Sequence, residues 1–134
     1  VFRDPVVMMG IGGVEYHGHT WEFGPRKAKE MLFTASSITA EEARELGMVN
    51  RVIPLAELDS QAMELAQQIA KMPAFGLAMA KRAVNQTLDI MGQYAATQSV
   101  FDIHSLGHGN AVAQCGFPVL VDLEKLKQAG KKPQ

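Results

Sequence analysis

Two pairs of histidines are the residues of this 134-residue chain best suited by type to proton transfer or metal binding. Imidazole titrates near neutrality, so it can serve as a general base or a ligand. His17 and His19 stand beside Glu15 and Tyr16, but i,i+2 spacing does not place two side chains on one helix face, as i,i+4 spacing would. Packing or surface roles are therefore expected for them. His104 and His108 do have i,i+4 spacing, yet Gly107 lies between them and no third ligand is close in sequence, so no metal site is expected. Gly10-Ile11-Gly12-Gly13 requires a tight backbone bend but does not complete the glycine fingerprint of dinucleotide-binding folds, and no strand and helix flank it with the required spacing. Cys115 is the only cysteine, which rules out an internal disulfide and a multi-cysteine zinc site and points to a reducing, cytoplasmic compartment.

The elements that position these residues follow from composition and patterning. With 47% hydrophobic and 20% charged residues, the chain can bury a core. A net charge of -1 without a long basic run gives no electrostatic footprint for nucleic acid. No stretch is long and apolar enough for a membrane-spanning helix, and the first ten residues lack a leader pattern. The opening Val-Phe-Arg-Asp-Pro-Val-Val has no initiating Met and reads as an entry mid-protein.

Residues 1–13 read as a loop or edge segment, with Asp4-Pro5 favouring a turn. Pro25, after Gly24, suits the first position of a helix whose buried face would carry Ala28, Met31 and Leu32. Thr39-Ala40-Glu41-Glu42 has the spacing of a reciprocal helix cap, and Gly47 is placed to stop that helix. Residues 48–53 are short, β-branched and bounded by Gly47 and Pro54, so a strand or extended segment, isolated or at an edge, is expected there. Beyond them Ala62, Leu65, Ala66 and Ile69 repeat at helix spacing, and Pro73 separates a second helix lined by Leu77, Ala80, Val84, Leu88 and Met91. A third helix, residues 94–106, is expected to stop at Gly107 and Gly109, and a short fourth to occupy residues 119–128.

Gly24-Pro25-Arg26-Lys27-Ala28-Lys29-Glu30-Met31-Leu32-Phe33-Thr34, followed by Ile38-Thr39-Ala40-Glu41-Glu42-Ala43-Arg44-Glu45-Leu46-Gly47-Met48-Val49-Asn50-Arg51-Val52, closely resembles the helix-loop-helix-strand signature of the crotonase (enoyl-CoA hydratase/isomerase) superfamily. The similarity continues in order through Pro73 and Ala78-Met79-Ala80-Lys81-Arg82-Ala83-Val84-Asn85. It implies an α/β fold, mostly α in this chain: the last turn of a ββα spiral core over residues 1–53, then a C-terminal helical trimerisation region over residues 54–134. It also implies an acyl-CoA thioester as substrate, no separate cofactor, and assembly as a homotrimer or hexamer.

In such a family, adding water to an enoyl thioester or moving its double bond builds negative charge on the thioester oxygen, which positioned N–H donors must stabilise. Those donors and one of two acidic groups lie in the family's upstream part. The segment Phe2-Arg3-Asp4-Pro5-Val6 resembles the stretch in which Phe-x-x-Pro precedes the second catalytic glutamate, and here that position is Val6. A valine exchanges no protons, so two-glutamate hydration is not expected. Asp4 and Glu15 are the nearby carboxylates, and Glu15 resembles in place the carboxylate that aryl-CoA dehalogenases of the superfamily use where a helix begins. Val6, Met9, Gly13 and Val14 would face the acyl group, and Phe117 and Lys125 would reach the adenine and phosphates of coenzyme A. Two further readings stand beside the enzyme: a non-catalytic homologue kept for acyl-CoA binding or subunit assembly, and a stand-alone helical interaction domain built on small residues such as Ala62, Ala66, Ala70 and Ala80.

Overall fold

The computed structural model describes residues 1–12, 16–122 and 124. Strand β1 (Phe2–Arg3) leads through Asp4 and Pro5 into a 3-10 turn (Val6–Met9), followed by helix α1 (His19–Thr34), strand β2 (Ser37–Ile38) and helices α2 (Ala40–Glu45), α3 (Leu55–Ala70), α4 (Ala74–Ile90) and α5 (Gln93–Cys115). The two strands pair antiparallel, Phe2 opposite Ile38 and Arg3 opposite Ser37. The mostly helical α/β composition expected from the sequence is what forms.

The front of the molecule holds a small core. Met31, Ile38 and Ala43 are buried together, with Phe2, Phe23, Leu46, Met48 and Val49 packed around them. Met31 and Ala28 come from the face of α1 that the spacing marks as apolar, while Leu32 is only partly covered. The helix bends at Gly24, whose φ of 74° and ψ of 165° lie outside the helical region; Pro25 therefore opens a fresh helical stretch, and a turn beginning at His19 precedes it. Arg3 reaches across to donate from Nε to the Ala35 carbonyl at 2.9 Å, which secures the left-handed turn at Ala35 (φ 50°) between α1 and β2.

Half of the expected reciprocal cap at α2 is present. Thr39 Oγ1 accepts from the Glu42 N–H at 3.1 Å, but the Glu42 carboxylate turns to Lys27, 2.6 Å away, and so bridges α2 to α1. Lys27, hydrogen-bonded to Glu42 and also to Glu30, is held above the usual lysine pKa. Gly47 does end this helical region, at φ 84°.

Three local expectations meet the structure. Of the two alternatives for residues 48–53 the strand does not form, because a strand needs a neighbour for its backbone groups and the only ladder among the described residues is β1 with β2. Helix α5 does not stop at Gly107 but runs to Cys115, because Gly107 is where the helix crosses the Ile11 backbone; a Cβ there would sit 3.2 Å from Ile11 Cα. Close packing, rather than chain breaking, explains that glycine. Residues 117–121 form a series of bends, while residue 123 and residues 125–134, the rest of the expected fourth helix, lie outside the described residues.

Helices α3 and α4 have no buried residue of their own. α4 packs along α5, and the stripe read from Leu77, Val84 and Met91 remains largely open. Among the described residues no helix is long and apolar enough to cross a membrane.

Candidate functional site

Asp4 organises the start of the chain. One carboxylate oxygen accepts the Val6 N–H at 3.1 Å, which is the turn expected of Asp before Pro and sets up the 3-10 turn behind it. The other oxygen lies 3.0 Å from Nε2 of His19, the first residue of α1. Since a carboxylate only accepts, Nε2 carries the hydrogen, and the neutral ring keeps its lone pair on Nδ1. These partners lie far apart along the chain, at positions 4 and 19, and no spacing rule joins them.

His17 stacks obliquely on His19 with ring centroids 5.0 Å apart, and Phe23 meets the His19 ring edge-on at 5.9 Å. The Nδ1 atoms of both histidines are enclosed and have no hydrogen-bond partner. Burial, then the neighbouring His19, push the pKa of His17 below the ordinary imidazole value, against the opposite pull of Asp4. The packing role expected for these two histidines is what they perform, but His19 does it through a carboxylate that sequence reasoning had not assigned to it.

An open cleft of about 470 Å³ runs beside this pair, lined by Phe2, Asp4, Tyr16, His19, Phe23 and Met48. Its walls are mainly apolar side chains, and its charged or titratable side chains are the carboxylate–imidazole pair, Arg3 and Tyr16. Both oxygens of Asp4 are engaged and both nitrogens of His19 are enclosed or bonded, so the pair braces the Asp4–Pro5–Val6 turn against α1. Val6, which the sequence resemblance sets against a family glutamate, is 7% exposed and packs inward. Met9 is partly covered at the end of the 3-10 turn, where Gly10, at φ 76°, closes it with bonds back to Val6 and Val7.

The remaining candidates lie elsewhere. Gly13, Val14 and Glu15, and Lys125 near the other end, fall outside the described residues. Phe117 is described and 64% exposed, beside a second opening of about 430 Å³ shared with Cys115, Val119, Leu120 and Val121. The structure therefore brings Asp4, Val6 and Met9 together on one short segment and places Phe117 on the segment after α5. Among the described residues no group of three metal-ligating side chains converges.

Comparison with known proteins reaches the same region. The family model described as enoyl-CoA hydratase/isomerase matches residues 8–125. A crystal structure of a probable enoyl-CoA hydratase from Mycobacterium smegmatis is 70% identical in sequence with a TM-score of 0.88, over 90% of this chain and 49% of that one. A second crystal structure, of a probable enoyl-CoA hydratase from Mycobacterium thermoresistibile, is 67% identical with a TM-score of 0.87, over 89% and 48%. Among curated proteins, "Putative enoyl-CoA hydratase EchA13" of Mycobacterium tuberculosis is 50% identical over 111 residues, which is 82% of this chain and 35% of that protein. The chain thus spans about half of the solved chains and about a third of the curated relative that it matches.

Proposed function

The chain belongs to the enoyl-CoA hydratase/isomerase family, and from that premise we propose that it is the C-terminal half of an enzyme that binds acyl-CoA and acts on enoyl-CoA thioesters by stabilising the thioester oxyanion. The observation that carries this reading is the family match over residues 8–125. The cleft next to Asp4 and His19 adds an apolar wall of the kind that a thioester's acyl part requires. By the family resemblance, Val6, Met9, Gly13 and Val14 are assigned to the acyl part of the substrate, and Phe117 and Lys125 to its coenzyme A end. No cofactor beyond the coenzyme A of the substrate is needed, and the lone free Cys115 suits a reducing, cytoplasmic compartment.

Glu15 is the proton-handling residue in this proposal. Val6 cannot exchange protons and Asp4 is occupied by the Val6 N–H and His19, so of the two carboxylates that the resemblance offers, Glu15 is the one assigned here. The spiral core ends near residue 53, and residues 54–134 are the helical assembly region. Its open apolar side chains, Phe75 and Ile90 about four-fifths exposed, support burial between subunits of a trimer or hexamer.

Replacing Glu15 by Gln in the intact protein tests the assignment, because the amide keeps the shape and cannot exchange the proton. Turnover of a short enoyl-CoA is expected to fall by roughly 100-fold or more, the usual contribution of one acid–base group, with KM little changed. Unchanged turnover would remove Glu15 from the chemistry. Thioester binding without turnover in the unaltered protein would favour the second reading, a homologue kept for binding or assembly, which the valine at position 6 supports.

A further inference from the structure

A second hydrogen-bonded relay, on α5, takes no part in the chemistry above. His108 Nδ1 stands 2.6 Å from the carbonyl oxygen of Pro118, and His108 Nε2 stands 3.1 Å from His104 Nε2. A carbonyl oxygen only accepts, so Nδ1 of His108 must carry a hydrogen. In the neutral ring Nε2 is then an acceptor, and the hydrogen between the two rings belongs to His104. The rings meet edge to face with centroids 4.5 Å apart, as i,i+4 positions of one helix allow. One backbone carbonyl thereby fixes the tautomers of both histidines.

Pro118 lies on a strap, residues 116–122, that folds back after the helix. Gly116, at φ 74°, ends α5 and returns its N–H to the Val112 carbonyl, while the Cys115 thiol fills the turn 3.2 Å from the Ala111 carbonyl. Two residues beyond Pro118, the Leu120 N–H donates to the Met9 carbonyl at 2.9 Å. The Leu120 side chain covers Gly10 so closely that a Cβ on Gly10 would come within 2.5 Å of Leu120 Cδ1. On the other side, α5 crosses Ile11 at Gly107, the residue just before His108. Residues 9–12 are therefore gripped between helix and strap, and His108 is the side chain that ties the one to the other.

We propose that His108 is a positioning residue of the acyl-CoA site: it holds Pro118, and the strap so held sets Leu120 against Gly10 and against Met9, a residue assigned to the acyl part of the substrate. The proposal rests on the family reading of the site but can be judged apart from it. In the intact protein, amide hydrogen exchange at Leu120 reports whether the strap is seated, with or without substrate. His108→Ala is expected to speed that exchange roughly three- to ten-fold, the span that one intramolecular hydrogen bond covers. His108→Asn, whose side-chain amide can present an N–H near the position of Nδ1, is expected to restore protection. Binding of butyryl-CoA, an unreactive saturated thioester, should weaken with the first variant and recover with the second.

Unchanged Leu120 exchange in His108→Ala would overturn the proposal whatever the ligand result. So would faster exchange accompanied by unaltered butyryl-CoA affinity, since the strap would then not shape the site. Failure of the unaltered protein to bind butyryl-CoA would count against the function and overturn the site-positioning role with it, while Leu120 exchange would still report the latch. Should the alanine variant not fold, imidazole nitrogen chemical shifts in the unaltered protein decide: a His108 ring fixed as the Nδ1–H tautomer is expected, and an averaging ring would contradict the relay.

Discussion

The front and rear of this chain are built from similar proportions of apolar residues but use them differently. In residues 1–50 a set of apolar side chains turns inward: Val6, Ile11, Ala28, Met31, Ala35, Ile38 and Ala43 are buried, although others such as Phe33 stay exposed. In α3 and α4 the apolar side chains recur at the same helical spacing and none is buried. Periodicity therefore marks a face that must be covered without saying what covers it. The front covers its face with β1, β2 and α2, whereas the rear leaves its face uncovered, the face on which the proposed subunit contacts would form.

The contrast is broken most directly in the core. Ile38, 1% exposed, should cost about 2–5 kcal/mol when replaced by Ala, whereas Leu55→Ala, at an 86% exposed position, should stay within about 0.5 kcal/mol. Urea unfolding of the two variants measures both, and equal losses would erase the distinction between front and rear. Two helix glycines sharpen it next. Gly107→Ala should destabilise by roughly 1–3 kcal/mol because Ile11 backbone blocks the new methyl, while Gly76→Ala, with nothing within 4 Å, should raise stability by up to about 1 kcal/mol. Thermal melts that ranked them the other way would deny that α5 crosses Ile11 so closely. Loss of the α2 cap in Thr39→Ala should cost about 1 kcal/mol in the same melts.

The smallest effect concerns pH. The pKa of His17 is depressed in the folded state, so the unfolded chain binds more protons in the interval below the ordinary imidazole value of 6.5. Its contribution to stability is complete above that value and is lost as pH falls through the folded pKa. Melting temperature should therefore decline below about pH 6.5, the ordinary imidazole pKa, less steeply in His17→Gln than in the unaltered protein. Parallel pH profiles would mean that His17 is not the group responsible.

What sequence could and could not reveal follows the same division. Pro25, Thr39 and Gly47 act on their immediate neighbours, and each stands where its local signal places a helix start or stop. Gly107 misleads because a glycine required for close packing looks like a chain break until Ile11 is seen against it. Residues 48–53 carry the composition of a strand, but pairing is a property of two segments. At the candidate site, Asp4 before Pro5 was legible as a turn, while its second bond, to His19, arises only once α1 folds back on the first residues. The His104–His108 spacing was visible too, but the acceptor that gives it meaning is the Pro118 carbonyl, a backbone atom that no side-chain pattern announces.

The central claim is that this chain contributes to a site for an acyl-CoA thioester. Calorimetric titration of the intact protein with butyryl-CoA, and separately with free coenzyme A, tests it without requiring turnover. Saturable binding of the thioester, tighter than that of free coenzyme A because the acyl part enters the apolar cleft, is the expected result. No binding of either, or equal binding of both, would contradict it.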